Sequence, residues 1–180
     1  MKALLVIDVQ NVIVNFKDFR NELINIEKII NDFKSQQLPV IFVRNISGDE
    51  NNPFYFKSKD SKIYEPLLEY ADYTIEKKTP SSFFQTKLEN MLRNLNVNQL
   101  FITGFNTEFC CMFTAISAFD RGYKVSLIED ATGTVNDANT YEMPGLDIRD
   151  FVGTALHWSN TIEVLDFEEY RDKYGKMTNY

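Results

Sequence analysis

Apolar residues recur along this chain in two rhythms. Short, nearly continuous apolar runs alternate with longer segments in which apolar positions return every three or four residues. The first rhythm marks strands buried on both faces of a sheet; the second marks amphipathic helices. Lys2 to Val9 (KALLVIDV) is the first run and carries Asp8 near its carboxyl end. Asp18 is placed to cap the helix that follows, where Phe19, Leu23, Ile26, Ile29, Ile30 and Phe33 trace one stripe up to Ser35. Pro39 restarts the chain, and Val40 to Val43 predicts a second strand. The crossover between the two strands should be right-handed.

Further on, Ile63 to Tyr70 predicts a short helix and Tyr73 to Glu76 a third strand. Thr79-Pro80-Ser81-Ser82 breaks the chain. A helix is expected from Phe83 to Asn94, with Phe84, Leu88, Met91, Leu92 and Leu95 as its apolar stripe. Leu100 to Thr103 predicts a fourth strand, broken by Gly104. A helix then runs from Cys110 to Arg121, Gly122 stops it, and Tyr123 to Ile128 is a fifth strand. Asp147 to Trp158 predicts a helix, Thr161 to Leu165 a sixth strand, Phe167 to Tyr174 a last helix and Gly175 to Tyr180 a frayed tail. Arg44 to Lys62 and Ala131 to Pro144 are polar, turn-rich loops of a length often tied to function. The alternation predicts an α/β fold: three layers, α/β/α, around a mostly parallel six-stranded sheet, in a single domain over 1–180.

Composition narrows the setting. A formal net charge of −7 argues against nucleic acid or an anionic membrane as partner. No apolar run approaches the ~20 residues that span a bilayer. The first apolar run follows a single lysine and has no cleavage site, so it reads as a strand rather than a signal peptide. The two cysteines, Cys110 and Cys111, are adjacent and suit no ordinary disulfide framework. That fits a reducing compartment, the cytoplasm.

Three chemically distinct groups fall at carboxyl ends of strands: Asp8 after the first, Lys77 after the third, Cys110 beyond the fourth. Open parallel sheets bind ligands at that edge. A cysteine at a helix start also lies in the positive end of the helix dipole, which favours thiolate. Together the groups make a workable hydrolase. Asp8 takes the thiol proton and returns it to a leaving group, Lys77 stabilises the thiolate, and backbone N–H groups of the turn hold an oxyanion. Pattern alone leaves plainer roles open: Cys110 as a packed core residue, Asp8 as a strand-end cap, Lys77 and Lys78 as a solvated pair.

Four stretches carry a family resemblance: LLVIDVQN at Leu4 to Asn11, EKKTPSSFFQTKL at Glu76 to Leu88, ITGFNTEFCCMFTAISAFDRGYKV at Ile102 to Val125, and EDATGT at Glu129 to Thr134. In this order and spacing the chain resembles the isochorismatase-like cysteine hydrolases, which include nicotinamidases and other small amidases. The resemblance implies a Rossmann-like six-stranded parallel sheet flanked by helices. It implies Asp8 as the catalytic aspartate. It selects Lys77 over Lys78 through K-x-x-x-x-x-F-x-x-T, with Phe83 and Thr86 setting the register. It selects Cys110 over Cys111 through G-x-x-T-x-x-C counted from Gly104, with Thr114-Ala115 agreeing. It also implies a cis peptide at Phe105–Asn106, the N–H groups of Asn106 and Cys110 as oxyanion donors, and a homo-oligomer, dimer or tetramer.

One departure shapes the functional expectation. Relatives that act as nicotinamidases carry a metal site built from an aspartate and histidines soon after the second strand. Here the single histidine, His157, lies in the penultimate helix, and the Arg44 loop offers Asp49, Glu50 and Asp60 without an imidazole. No metal and no cofactor is therefore expected. Relatives that hydrolyse a vinyl ether lack the cysteine at this position, so Cys110 favours amide chemistry. The expectation is a metal-independent, cysteine-dependent hydrolase of a small amide or related C–N bond, acting through a thioester acyl-enzyme on a small-molecule substrate. The alternatives are hydrolysis of another bond on the same fold, such as a vinyl ether or cyclic amide, and a non-catalytic binding or redox-sensing module using Cys110 and Cys111. Cys111 reads as packing. His157 with Trp158 reads as helix packing or capping, and Phe54, Tyr55, Phe56 and Tyr141 are candidates for a pocket wall.

Overall fold

The computed structural model describes residues 1–176. Six strands, β1 (Lys2–Ile7), β2 (Val40–Asn45), β3 (Tyr73–Lys77), β4 (Gln99–Phe105), β5 (Lys124–Gly133) and β6 (Glu163–Leu165), form one sheet in the order β3-β2-β1-β4-β5-β6. Every neighbouring pair is parallel. The helices are α1 (Asn11–Val14), α2 (Arg20–Ser35), α3 (Glu65–Leu68), α4 (Leu88–Asn94), α5 (Met112–Phe119), α6 (Ile148–Trp158) and α7 (Phe167–Tyr174). This is the expected α/β architecture with a six-stranded parallel sheet. The order reverses between β1 and β4, so the chain segments leaving these two strands diverge and open a crevice at their carboxyl ends.

Two apolar layers sandwich the sheet. On one face Leu5, Ile7, Ile41 and Ile102 pack against Leu88 and Leu92 of α4, Ala115 and Ala118 of α5, and Val152 and Leu156 of α6. On the other, Leu4, Val6, Phe42 and Phe101 pack against Ile26, Ile29, Ile30 and Phe33 of α2 and Tyr170 of α7. β1 is fully buried from Ala3 to Ile7. Each such aliphatic side chain contributes about 1.5–3 kcal/mol relative to exposure, so the centre of the sheet is a rigid base for whatever its ends carry.

Several predicted boundaries move, each for a local reason. The helix expected from Phe83 begins only at Leu88. Ser81 and Ser82 anchor the preceding segment to α5 instead, through Ser81 Oγ to Ser117 Oγ (3.0 Å) and the Ser82 N–H to Thr114 Oγ1 (3.0 Å). Gln85 takes φ +55°, which no helix continues, and Phe84 is left exposed rather than in the stripe. Gly104 does not break β4, which runs on to Phe105; it lets β4 approach β1 closely, because a Cβ there would stand 2.0 Å from the Ile7 carbonyl oxygen. β5 extends to Gly133 across a register shift against β4, absorbing the first residues of the predicted Ala131 loop. Asp18 stands one residue outside the α2 cap and accepts from the Arg20 N–H (3.1 Å). Gly175 and Lys176 are tied down rather than frayed, the Lys176 N–H donating to Asp32 Oδ1 (2.9 Å); the rest of the expected tail, 177–180, lies outside the described residues.

Candidate active site

The crevice between β1 and β4 is where the three groups meet. Asp8 is the first residue past β1 and takes φ +52°, a left-handed conformation that aspartate tolerates better than most side chains. Its N–H donates to the Val43 carbonyl (2.8 Å), holding it to the end of β2. Lys77 is the last residue of β3, one position further into the strand than expected, and is 2 % exposed. Its ammonium reaches past β2 to donate to Asp8 Oδ2 (2.6 Å) and to Cys110 Sγ (3.2 Å). Asp8 Oδ1 is buried without a hydrogen-bond partner among the described residues.

Cys110 does not start a regular α-helix. It sits in a wider π-helical turn, Thr107–Cys111, that leads into α5. The Cys111 N–H closes this turn on the Asn106 carbonyl (3.1 Å). π-turns are rare and recur at functional sites. The Phe105–Asn106 peptide ahead of it is cis, as the resemblance implies. Cys111 is fully buried in the core layer with Ala115 and Ala118, a packing position.

The electrostatics invert one expectation. Burial raises Asp8 above the ordinary carboxylate value, with the Lys77 ammonium pulling it back. Burial alone would lower Lys77, but the Asp8 carboxylate and the Cys110 sulfur beside it outweigh burial and hold the ammonium above its ordinary range. Burial and the adjacent Asp8 carboxylate push the Cys110 thiol up to about 12 against the attraction of Lys77. The helix-terminus argument favours thiolate; in the site, burial and the Asp8 carboxylate shift Cys110 toward the neutral thiol beside the Asp8–Lys77 ion pair. The single Lys77 charge is already matched by Asp8, and a second anion in the same dry space is disfavoured. A group that removes the thiol proton is therefore required for the sulfur to attack.

Sequence pattern did not single out two residues that support this arrangement. Gln10 is fully buried. Its Nε2 donates to the Asn45 carbonyl (2.9 Å) and the Ser61 carbonyl (2.5 Å), and its Oε1 accepts from the Asn45 N–H (2.8 Å). It thus clips the end of β2 and the end of the Arg44 to Lys62 loop to the segment carrying Asp8. Glu108, two residues before Cys110, is also buried. Its Oε1 accepts from Thr134 Oγ1 (2.7 Å), Asn136 Nδ2 (2.7 Å) and the Tyr141 hydroxyl (3.1 Å), tying the cysteine turn to the loop after β5. The available signal was a polar residue within an otherwise buried motif, in both LLVIDVQN and ITGFNTEFCC.

The other singled-out residues lie elsewhere. His157 and Trp158 are exposed at the end of α6 rather than packed, and His157 lines a cleft of about 740 Å³ at the amino ends of β4 to β6, the opposite edge from Cys110. Phe54 packs on the α2-side core, and the Tyr55 hydroxyl donates to Glu50 (3.1 Å). Of the aromatic candidates, Tyr141 is the one bonded to the cysteine turn. Among the described residues, no three His, Cys, Asp or Glu side chains are grouped to hold a metal ion. None of the helices described is long and apolar enough to cross a membrane.

This site stands on a fold with known relatives. The isochorismatase domain model matches residues 2–154, and the chain belongs to the isochorismatase family of hydrolases. It is 29 % identical over 150 residues to nicotinamidase 3 of Arabidopsis thaliana, covering 75 % of this chain and 74 % of that protein. It is 32 % identical over 141 residues to the uncharacterized isochorismatase family protein YddQ of Bacillus subtilis, covering 73 % and 77 %. The nicotinamidase SaPncA from Staphylococcus aureus superimposes with a TM-score of 0.73 at 25 % identity, over 92 % of this chain and 97 % of that one. An isochorismatase-like hydrolase from Alkaliphilus metalliredigens shares the fold, with a TM-score of 0.81 at 20 % identity over 96 % and 97 %.

Proposed function

We propose that this hydrolase cleaves a small amide, or a related non-peptide C–N bond, through a thioester on Cys110. The observation that carries this is the Lys77 ammonium bridging a buried carboxylate and a half-buried thiol, 2.6 Å from one and 3.2 Å from the other. Asp8 has an unpartnered oxygen and a raised affinity for protons, which suits it to take the proton from Cys110 Sγ as the sulfur attacks the carbonyl carbon. The N–H groups of Asn106 and Cys110 hold the oxyanion. Collapse breaks the C–N bond, and the amine leaves with the proton from Asp8. Water then gives its proton to Asp8 and attacks the thioester carbonyl. Release of the carboxylic acid returns the proton to Sγ, so no net proton is gained or lost by the site.

Lys77 keeps its charge throughout. It holds Asp8 in place and stabilises sulfur as negative charge develops there. The nicotinamidases among the relatives make primary amides of small ring carboxylic acids the class to test first. The adjacent free thiols suit a reducing compartment and support the cytoplasm as its location, and the family resemblance supports a homo-oligomer.

Ammonia release from a panel of primary amides tests the chemistry, with carboxylic acid formed in equal amount. Cys110→Ala should lower turnover by about 1,000-fold or more, while Cys111→Ala retains it. Turnover that survives Cys110→Ala sinks the mechanism.

A further inference from the structure

Five asparagines are half-buried: Asn11, Asn25, Asn45, Asn106 and Asn136. Four of them use the side-chain amide within the protein. Asn11 Nδ2 donates to the Lys59 carbonyl (3.0 Å), Asn25 Nδ2 to Asp130 Oδ2 (3.0 Å) and Asn136 Nδ2 to Glu108 Oε1 (2.7 Å), and Asn106 Oδ1 accepts from the Val135 N–H (3.4 Å). Asn45 is the exception. Gln10 clips its main chain at both the N–H and the carbonyl. Its side-chain amide has no hydrogen-bond partner among the described residues, and neither amide atom is sealed from solvent.

The direction of that side chain follows from the strand. In β2, Phe42 packs on the α2 side of the sheet and Ile41 and Val43 on the α4–α6 side. Asn45, two residues beyond Val43, therefore projects to the α4–α6 side, where Cys110 also packs. Its registered partner in β3 is Lys77, whose ammonium crosses β2 to reach Asp8 and Cys110. The free amide thus stands in the crevice beside the Lys77 side chain, across Asp8 from Cys110. β2 and β4 are two strand spacings apart, roughly 10 Å, so a single ring or a short chain reaches from Cys110 to Asn45.

We propose that Asn45 recognises the substrate, and that the substrate carries a neutral amide-like edge, an N–H beside a C=O, away from the bond cleaved. That a bond is cleaved at Cys110 rests on the amide reading above; the recognition by Asn45 does not. An asparagine side chain presents an acceptor and a donor side by side, and an amide-like edge pairs with both. A carboxylate there would find no free cation in the neighbouring strand ends. Lys77 is matched by Asp8, and Arg44 lies on the α2 side, where its guanidinium donates to the Phe56 carbonyl (2.9 Å). An apolar group would cover the amide and leave it without water or partner.

Three amides of one length test this: succinamide, 4-methylpentanamide, in which an isopropyl group replaces the second carboxamide, and succinamate. The wild type should favour succinamide over both others by about 10-fold or more in kcat/KM. Asn45→Leu should lose about 10- to 100-fold on succinamide and gain on 4-methylpentanamide, reversing the preference. Gln10 holds Asn45 through the main chain, so the exchange leaves that clip in place; Asn45→Ala replaces it if the leucine variant does not fold. A wild type that favours 4-methylpentanamide or succinamate overturns the proposal, as does a preference for succinamide that survives in the variant. If the wild type turns over none of the three, the amide chemistry fails and binding decides the recognition. Saturation-transfer NMR should then show succinamide bound about 10-fold more tightly by the wild type than by Asn45→Leu. Equal binding, or none, overturns it.

Discussion

Lys77 Nζ stands 2.6 Å from Asp8 Oδ2, and both side chains are sealed from solvent, at 0 % and 2 % exposure. A buried ion pair is weak evidence of net stability, because desolvation offsets the attraction. Removing one partner is another matter. Lys77→Met conserves the stem and leaves Asp8 charged and alone, so unfolding by urea at neutral pH should show a loss of about 3–5 kcal/mol. The loss should shrink in acid as Asp8 takes a proton. A variant as stable as the wild type at neutral pH would mean that Asp8 is already protonated.

Asp8→Asn should separate thiol reactivity from turnover. The Asp8 charge, after burial, is what lifts Cys110 toward about 12, while Lys77 opposes it. With Asp8 neutral, Lys77 is free to stabilise the thiolate. Alkylation of Cys110 by iodoacetamide at pH 8, followed by peptide mass spectrometry, should be at least about 10-fold faster than in the wild type. Turnover should fall by about 100- to 10,000-fold for want of a base. Slower alkylation in the variant would contradict the electrostatic argument.

Folding stability should carry the signature of the raised thiol. Between pH 9.0, the ordinary value, and about 12, the unfolded chain has lost the Cys110 proton that the folded chain keeps. Stability therefore falls as pH rises through that window, by up to ~1.4 kcal/mol per pH unit from this group. Lys77 acts in the same sense further up. Its contribution is complete below 10.5 and is lost as pH passes its raised folded value. Cys110→Ser should flatten the decline measured by urea unfolding across pH 8 to 10. Equal slopes in the two proteins would rule out a thiol that rests neutral.

Gly104→Ala tests the close approach of β4 to β1. A methyl group there meets the Ile7 carbonyl oxygen at 2.0 Å, and φ of +112° disfavours any side chain. The combined overpacking and backbone strain should cost on the order of 3 kcal/mol or more. It should also displace Asp8, the next residue after Ile7. Thermal unfolding together with the ammonia assay would show both losses; a stable, inactive variant would confine the effect to the site.

Glu108→Ala removes the acceptor on which Thr134, Asn136 and Tyr141 converge. Stranding these donors should cost about 1–3 kcal/mol. Loosening the loop after β5 should raise KM more than it lowers kcat, because the hydrogen bonds of Glu108 Oε1 go to that loop. A fall in kcat with KM unchanged would place Glu108 in the chemistry itself.

Much of this molecule was decided locally. Continuous apolar runs such as Leu4 to Ile7 and Val40 to Val43 suit only strands covered on both faces, so the parallel sheet follows from the chain. The identities and spacing of Asp8, Lys77 and Cys110 likewise mark one edge of that sheet. Other features depend on contacts between distant segments. α4 starts late because Ser82 finds Thr114, 32 positions away. Gly104 joins a strand because Ile7 lies against it. Gln10 and Glu108 become structural only once the loops they bind have folded over them. The protonation of Cys110 shows the division most clearly. Position in the chain put it at the start of a helix and favoured thiolate; enclosure beside Asp8, with one lysine between two would-be anions, shifts it toward the thiol. Periodicity is a property of neighbours in sequence, whereas desolvation and charge balance belong to whatever the fold brings within a few ångströms.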